Sequence, residues 1–205
     1  YLDNGVVLKS PVSAYLGIQI VRKITIKNSG TQVCIDQKIT KIKPAKNNQL
    51  ENIPLTLWSL SKIKTPNISY TKKSEKSVFK NGFTISEWPD ARNYATDNVT
   101  VNDDLVVLKS SSAFPQKIGA DAQSWVAGYV DNNLLIESFE FDESANYPDS
   151  GTSVTIFGND IFSELEVLSP EKLLKVGESI DYKIKWNLIK MSSKEEAEQY
   201  LFQLP

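Results

Sequence analysis

Hydrophobic and polar residues alternate with a period of two along much of this chain, most regularly near its C-terminal end. Ile180, Tyr182, Ile184, Trp186 and Leu188 occupy every second position, with Asp181, Lys183, Lys185 and Asn187 between them. That period predicts a strand over 180–188 with one face buried and the other in water. A shorter strand precedes it, in which Leu165 and Val167 point one way and Glu164 and Glu166 share the opposite face. Residues 17–27 alternate in the same manner, with Ile18, Ile20, Ile24 and Ile26 on a face interrupted by Arg22. Asn28-Ser29-Gly30 then supplies turn residues before a second alternating run through Val33, Ile35 and Ile39. Two such runs around a short glycine-containing turn predict a hairpin.

Further strands are expected over 54–60, 105–108 and 152–157. A second hairpin pairs 123–130 with 134–141 around Asp131-Asn132-Asn133, residue types that tolerate positive φ. The polar, basic stretch 62–80, with Pro66, reads as an irregular surface excursion or edge hairpin. Residues 88–98 read as a loop, because Pro89 and Asp90 break both regular patterns. Ser192 followed three residues later by Glu195 is a capping-box pattern, predicting one C-terminal helix over 193–202. The sum is about ten short strands with no internal repeat, which favours a single all-β antiparallel sandwich domain over 1–205.

Composition narrows the chemistry. The chain has 205 residues, 40% hydrophobic and 23% charged, with net charge −2. Its lysines and arginines are dispersed, so no footprint for nucleic acid emerges. No apolar run is long enough to span a bilayer. Histidine is absent and Cys34 is the sole cysteine. Within these residues there is therefore no Ser-His-Asp or Cys-His catalysis and no His-ligated zinc or haem. No internal disulfide forms and no cofactor is expected; carboxylates leave Ca²⁺ open as a ligand, though no loop has EF-hand spacing. Carboxylates, aromatic rings and hydroxyls remain as the candidate functional groups.

The run Glu164-Leu-Glu166-Val-Leu-Ser-Pro170, with Leu173 or Leu174, Gly177-Glu178 and the alternating Trp186 strand, resembles the C-terminal signature of the galactose mutarotase (aldose 1-epimerase) superfamily. Trp58 in a Pro-x-x-x-Trp strand, the Trp88-Pro89 loop and Tyr147-Pro148-Asp149 before a strand extend the resemblance over 5–188. It is nearest to a bacterial branch of mutarotase-like proteins. The resemblance implies a β-supersandwich with a carbohydrate site on the concave face of the larger sheet. It also implies strands ahead of Tyr1. Separately, a periplasmic or extracellular location is favoured over a cytoplasmic one, with the location itself left open. By the same resemblance Glu166 matches the glutamate that takes a proton from the anomeric hydroxyl. The family's histidine acid falls where this chain has Trp58, and an indole N–H donates a hydrogen bond but no proton near neutral pH. The resemblance thus still implies a sugar site, and any proton transfer on a sugar would need Tyr147 or Glu164 as its acid. Glu166 is the candidate base, and Trp58, Trp88, Arg92, Tyr147, Asp149 and Glu164 are the candidate carbohydrate contacts. The rival readings are a non-catalytic carbohydrate-binding module, with a Trp platform, and a structural β-sandwich in which Trp58 and Glu166 point into opposite layers.

Overall fold

A computed structural model describes residues 3–65, 67–85, 98–110 and 115–205. Fourteen strands among these residues form two antiparallel sheets. The nine-stranded sheet runs in the order β1 (Gly5–Lys9), β2 (Ile18–Ile26), β3 (Val33–Lys41), β14 (Ser179–Lys190), β11 (Asn133–Phe139), β10 (Trp125–Val130), β5 (Ile68–Lys72), β8 (Leu105–Lys109) and β7 (Val99–Asn102). The five-stranded sheet runs β4 (Trp58–Lys64), β13 (Phe162–Leu168), β12 (Val154–Gly158), β9 (Gln116–Ala120) and β6 (Thr84–Ile85). The molecule is an all-β sandwich, as the alternating pattern predicts.

The smaller sheet stacks on only half of the larger one, with β4 and β13 over β10 and β12 over β8. The sheets approach closely where Gly128 of β10 meets Ile63: a Cβ on Gly128 would stand 2.3 Å from the Ile63 Cδ1. Between the layers Val106, Leu108, Val126, Ile156, Leu165 and Ile184 form the main core. A second core lies on the outer face of the larger sheet, where Tyr70, Leu105, Trp125 and Leu134 are capped by the C-terminal helix Lys194–Phe202 through Ala197 and Leu201. Strands in this half are covered on both faces, which is why Leu105 to Leu108 reads as an unbroken apolar run. Leu201 is completely buried, so Leu201→Ala is expected to lower stability by about 2–4 kcal/mol through loss of packing and a residual cavity. Denaturant unfolding measures this, and a change near zero would mean that the helix does not hold the second core.

Several sequence expectations are corrected. Residues 62–80 are not a surface excursion: they contain the end of β4 and all of β5, an inner strand between β10 and β8. Its polar residues are accommodated internally, with the Thr71 hydroxyl donating to the Trp125 carbonyl and the Ser69 hydroxyl to the Asn67 side chain. The 54–60 strand begins later, at Trp58, and Leu55 makes only an isolated bridge to Lys172. Leu188 is exposed, because β14 runs beyond the part of its face that is covered. The helix cap is Ser193 rather than Ser192: its hydroxyl accepts from the Glu196 N–H, while the Glu196 carboxylate reaches back to Ser192. Arg22, the interruption in β2, is met across the pair by buried Gln37, whose Oε1 accepts from Nε and Nη2 at 3.0 and 2.6 Å.

Candidate functional site

Glu166 lies on β13, in the smaller sheet, and its carboxylate is on the face turned away from the larger one. Leu165 and Val167 enter the core, and Phe162, Glu164, Glu166 and Leu168 take the outer face. The expectation that this carboxylate sits on the larger sheet is therefore corrected. β13 is flanked by β4 and β12, so its carboxylates are framed by both neighbours. One row of outward positions crosses the sheet from Leu60 through Glu166, Thr155 and Gly119 to Thr84.

The outward face is dominated by a three-residue cluster. The Trp58 indole N–H donates to Glu166 Oε2 at 3.0 Å. The Lys117 ammonium donates to the same oxygen at 3.3 Å and lies 3.1 Å from Oε1 without hydrogen-bond alignment there. The same ammonium is 5.8 Å from the centre of the Trp58 ring. Since Trp58 stands opposite Leu168, one row away, these contacts mean that its ring is laid across β13 toward β9. The result inverts two expectations from alternation alone. Glu166 is only 2% exposed, whereas Trp58 is 54% exposed. Burial pushes the Glu166 carboxyl above the ordinary carboxylate range, and the Lys117 charge and hydrogen bond draw it partly back. Glu164, half-buried beside it, pairs with Lys62 at 3.2 Å, and the Lys62 ammonium lies 4.1 Å from the centre of the Phe162 ring.

Thr155 and Gly119 carry the same row into a cavity of about 390 Å³, whose wall also includes Thr84, Thr152, Asp149 and Ser150. Hydroxyls and one carboxylate make this lining polar. Asp149, Ser150 and Gly151 have φ of 49°, 65° and 111°, three successive left-handed residues. Non-glycine residues rarely adopt that conformation, and where it persists the surroundings must hold it. The turn exposes Asp149 at the cavity mouth. Ser150 also borders a second cavity of about 580 Å³ on the far side of the turn, where Tyr147 and Phe141 form part of the wall. Tyr147 is buried and stacked on Phe141 with centroids 4.9 Å apart, and its hydroxyl accepts from the Asp142 N–H at 3.0 Å. Its role is to fasten that loop.

Of the residues singled out in the sequence, Trp58, Glu164 and Glu166 are brought together on one face, and Asp149 borders a cavity reached along the same row. Tyr147 belongs to the other side of the turn. Trp88 and Arg92 lie outside the described residues. Trp125 belongs to the second core, and Trp186 is partly buried against the main core between the sheets. Asn67, in a glycosylation-type triplet, is buried with its amide on the Lys64 carbonyl, so that triplet is structural. Lys117, Thr155 and Thr84 were not foreseen. They sit on β9, β12 and β6, and only the pairing of those strands aligns them with Glu166.

Neither family models nor curated proteins match this chain.

Proposed function

We propose that this protein binds carbohydrate on the outer face of its smaller sheet, with Trp58 as the platform on which a sugar ring stacks. The observation that carries the reading is an indole more than half exposed on a sheet face, with its N–H end anchored to a buried carboxylate. A pyranose presents a face of C–H bonds that packs on such a ring, and an anchored ring loses little freedom on binding. The hydroxyl-lined cavity at Thr155, Thr84 and Asp149 adds acceptors and donors of the kind that read sugar hydroxyls. Trp58 and Glu166 share one face, which argues against the structural sandwich in which they point into opposite layers.

In this reading Glu166 is a positioning residue. It is nearly inaccessible beneath the indole, and its oxygens are engaged by Trp58 and Lys117. The resemblance to the mutarotase superfamily supports a sugar as ligand, and the same burial favours a binding module over proton transfer at a sugar carbon. Calorimetry against a panel of mono- and oligosaccharides tests this. Trp58→Ala is expected to weaken saccharide binding by at least about 1.4 kcal/mol, or tenfold. Glu166→Gln, which retains an acceptor for the indole N–H, is expected to keep most of the affinity. Binding indifferent to Trp58 would refute the platform. Sugar turnover that is lost in Glu166→Gln would restore the catalytic reading.

A further inference from the structure

Three loops meet at the end of the sandwich where β2, β14 and β4 begin and β3 and β13 finish. They are residues 11–17, 42–57 and 169–178. Backbone hydrogen bonds tie them together: Lys46 N–H to Tyr15 O, Ile42 N–H to Gly17 O, Gly177 N–H to Lys41 O, and a reciprocal pair between Leu55 and Lys172. Their apolar side chains are not all spent on the core. Leu57 and Leu174 are buried, whereas Tyr15, Ile42, Ile53, Leu173 and Val176 are 44–62% exposed. None of these five lines the cavities at Asp149 or Tyr147.

Charge is as uneven as hydrophobicity. Lys43, Lys46, Lys172 and Lys175 are exposed among the apolar tips, in a chain whose net charge is −2. Of the nearby glutamates, Glu51 and Glu178 are turned into local structure, and Glu171 borders the cavity at Tyr147. Glu51 accepts from the buried Lys41 ammonium at 2.8 Å and from the Ala45 N–H, and Glu178 accepts from the Lys175 N–H at 3.0 Å. The Lys46 ammonium lies 5.1 Å from the centre of the Tyr15 ring. What faces outward is a set of aliphatic and aromatic side chains interspersed with lysines.

We propose that this end of the sandwich docks on an anionic lipid bilayer, the apolar tips entering the headgroup boundary and the lysines pairing with lipid phosphates and carboxylates. Such a boundary accepts isolated aliphatic side chains to shallow depth, and lysine stems reach upward from them to the charged headgroups. No helix among the described residues is long and apolar enough to cross a membrane, and the contact proposed is that of the loop tips alone. Surface attraction of this kind accumulates per lysine and fades within a Debye length, so it is sensitive to salt.

Co-sedimentation of the full chain with vesicles of phosphatidylcholine alone, and of phosphatidylcholine with phosphatidylserine, tests the docking. The expected result is partition onto the serine-containing vesicles, weakened by added salt. Leu173→Ser with Val176→Ser, and separately Lys172→Glu with Lys175→Glu, are each expected to reduce it at least about tenfold. All four side chains are exposed, and unchanged thermal melting establishes that the variants fold. Equal or absent binding to both vesicle types overturns the proposal. So does binding that both double variants retain, or a fall in sedimenting mass in the Ser variant, which would make this face a contact between copies of the chain. Saccharide affinity is read in the same variants, because Trp58 opens β4 at this same end of the sandwich.

Discussion

Glu137→Gln is expected to stabilise the protein by roughly 2 to 3 kcal/mol more at pH 8 than at pH 5, measured by urea unfolding at each pH. Glu137 is on β11, opposite Trp186 of β14 and Val126 of β10, with its side chain inside the sandwich and no solvent exposure. Its polar neighbours are the Ser61 hydroxyl from β4 and the Trp186 indole N–H, and no hydrogen bond closes on either carboxylate oxygen. No cation faces it among the described groups. Loss of hydration is the main cause that pushes its carboxyl up to about 7, and the two neighbours offset only part of the shift. The sign follows from proton uptake. Between the ordinary carboxylate range and about pH 7 the folded chain holds a proton that the unfolded chain releases, so stability falls as pH rises. Above that range both states are ionised and the full penalty of a buried, unpaired charge is present. Glutamine removes the titration at nearly constant volume. A stability difference between the two proteins that does not vary with pH would show that Glu137 is not protonated in the folded state.

Lys117→Met is expected to cost about 3 kcal/mol at pH 8, because it leaves the Glu166 carboxylate buried without its countercharge. Lys117 is itself mostly covered, with its side chain 15% exposed, so solvent screening does little to soften the loss. Removing the cation also lets burial push the Glu166 carboxyl further up, so the deficit should shrink as pH falls and the group takes a proton. Adding Glu166→Gln to the Lys117→Met background is expected to recover most of the stability, since the uncompensated charge is then gone. Additive effects of the two substitutions in a double-mutant cycle would show that the pair is not coupled. The same cycle followed by Trp58 fluorescence reports whether the indole keeps its place once the carboxylate beneath it changes.

Both predictions concern acidic residues whose standing could not be read from their sequence neighbourhoods. Glu137 sits in the alternating stretch of β11, at a position shared with Leu135 and Phe139, and its side chain follows them into the core region. Glu164 and Glu166 have the same spacing and differ in fate, one half-buried with a surface lysine and the other covered by Trp58. The cover comes from a residue 108 positions away along the chain, and the countercharge from one 49 away. Local pattern carries no record of either distance.

What the sequence determined by itself is local in origin. Alternation placed Leu165 and Val167 opposite Glu164 and Glu166, and Ile180, Tyr182 and Ile184 together on a buried face, because successive side chains of a strand must point to opposite sides. Asp131 and Asn132 turn a hairpin with φ of 49° and 60°, as residues that tolerate the left-handed region can. Which faces are then covered was decided by tertiary structure. β5 carries too many hydroxyls to read as an inner strand, yet it is one, since its neighbours accept those hydrogen bonds. Leu188 and Trp58 look like core and are exposed, since β14 runs beyond the part of its face that is covered and Trp58 lies on the outer face of the smaller sheet. The period of a strand dictates which residues share a side; only the stacking of whole sheets dictates which sides lose water.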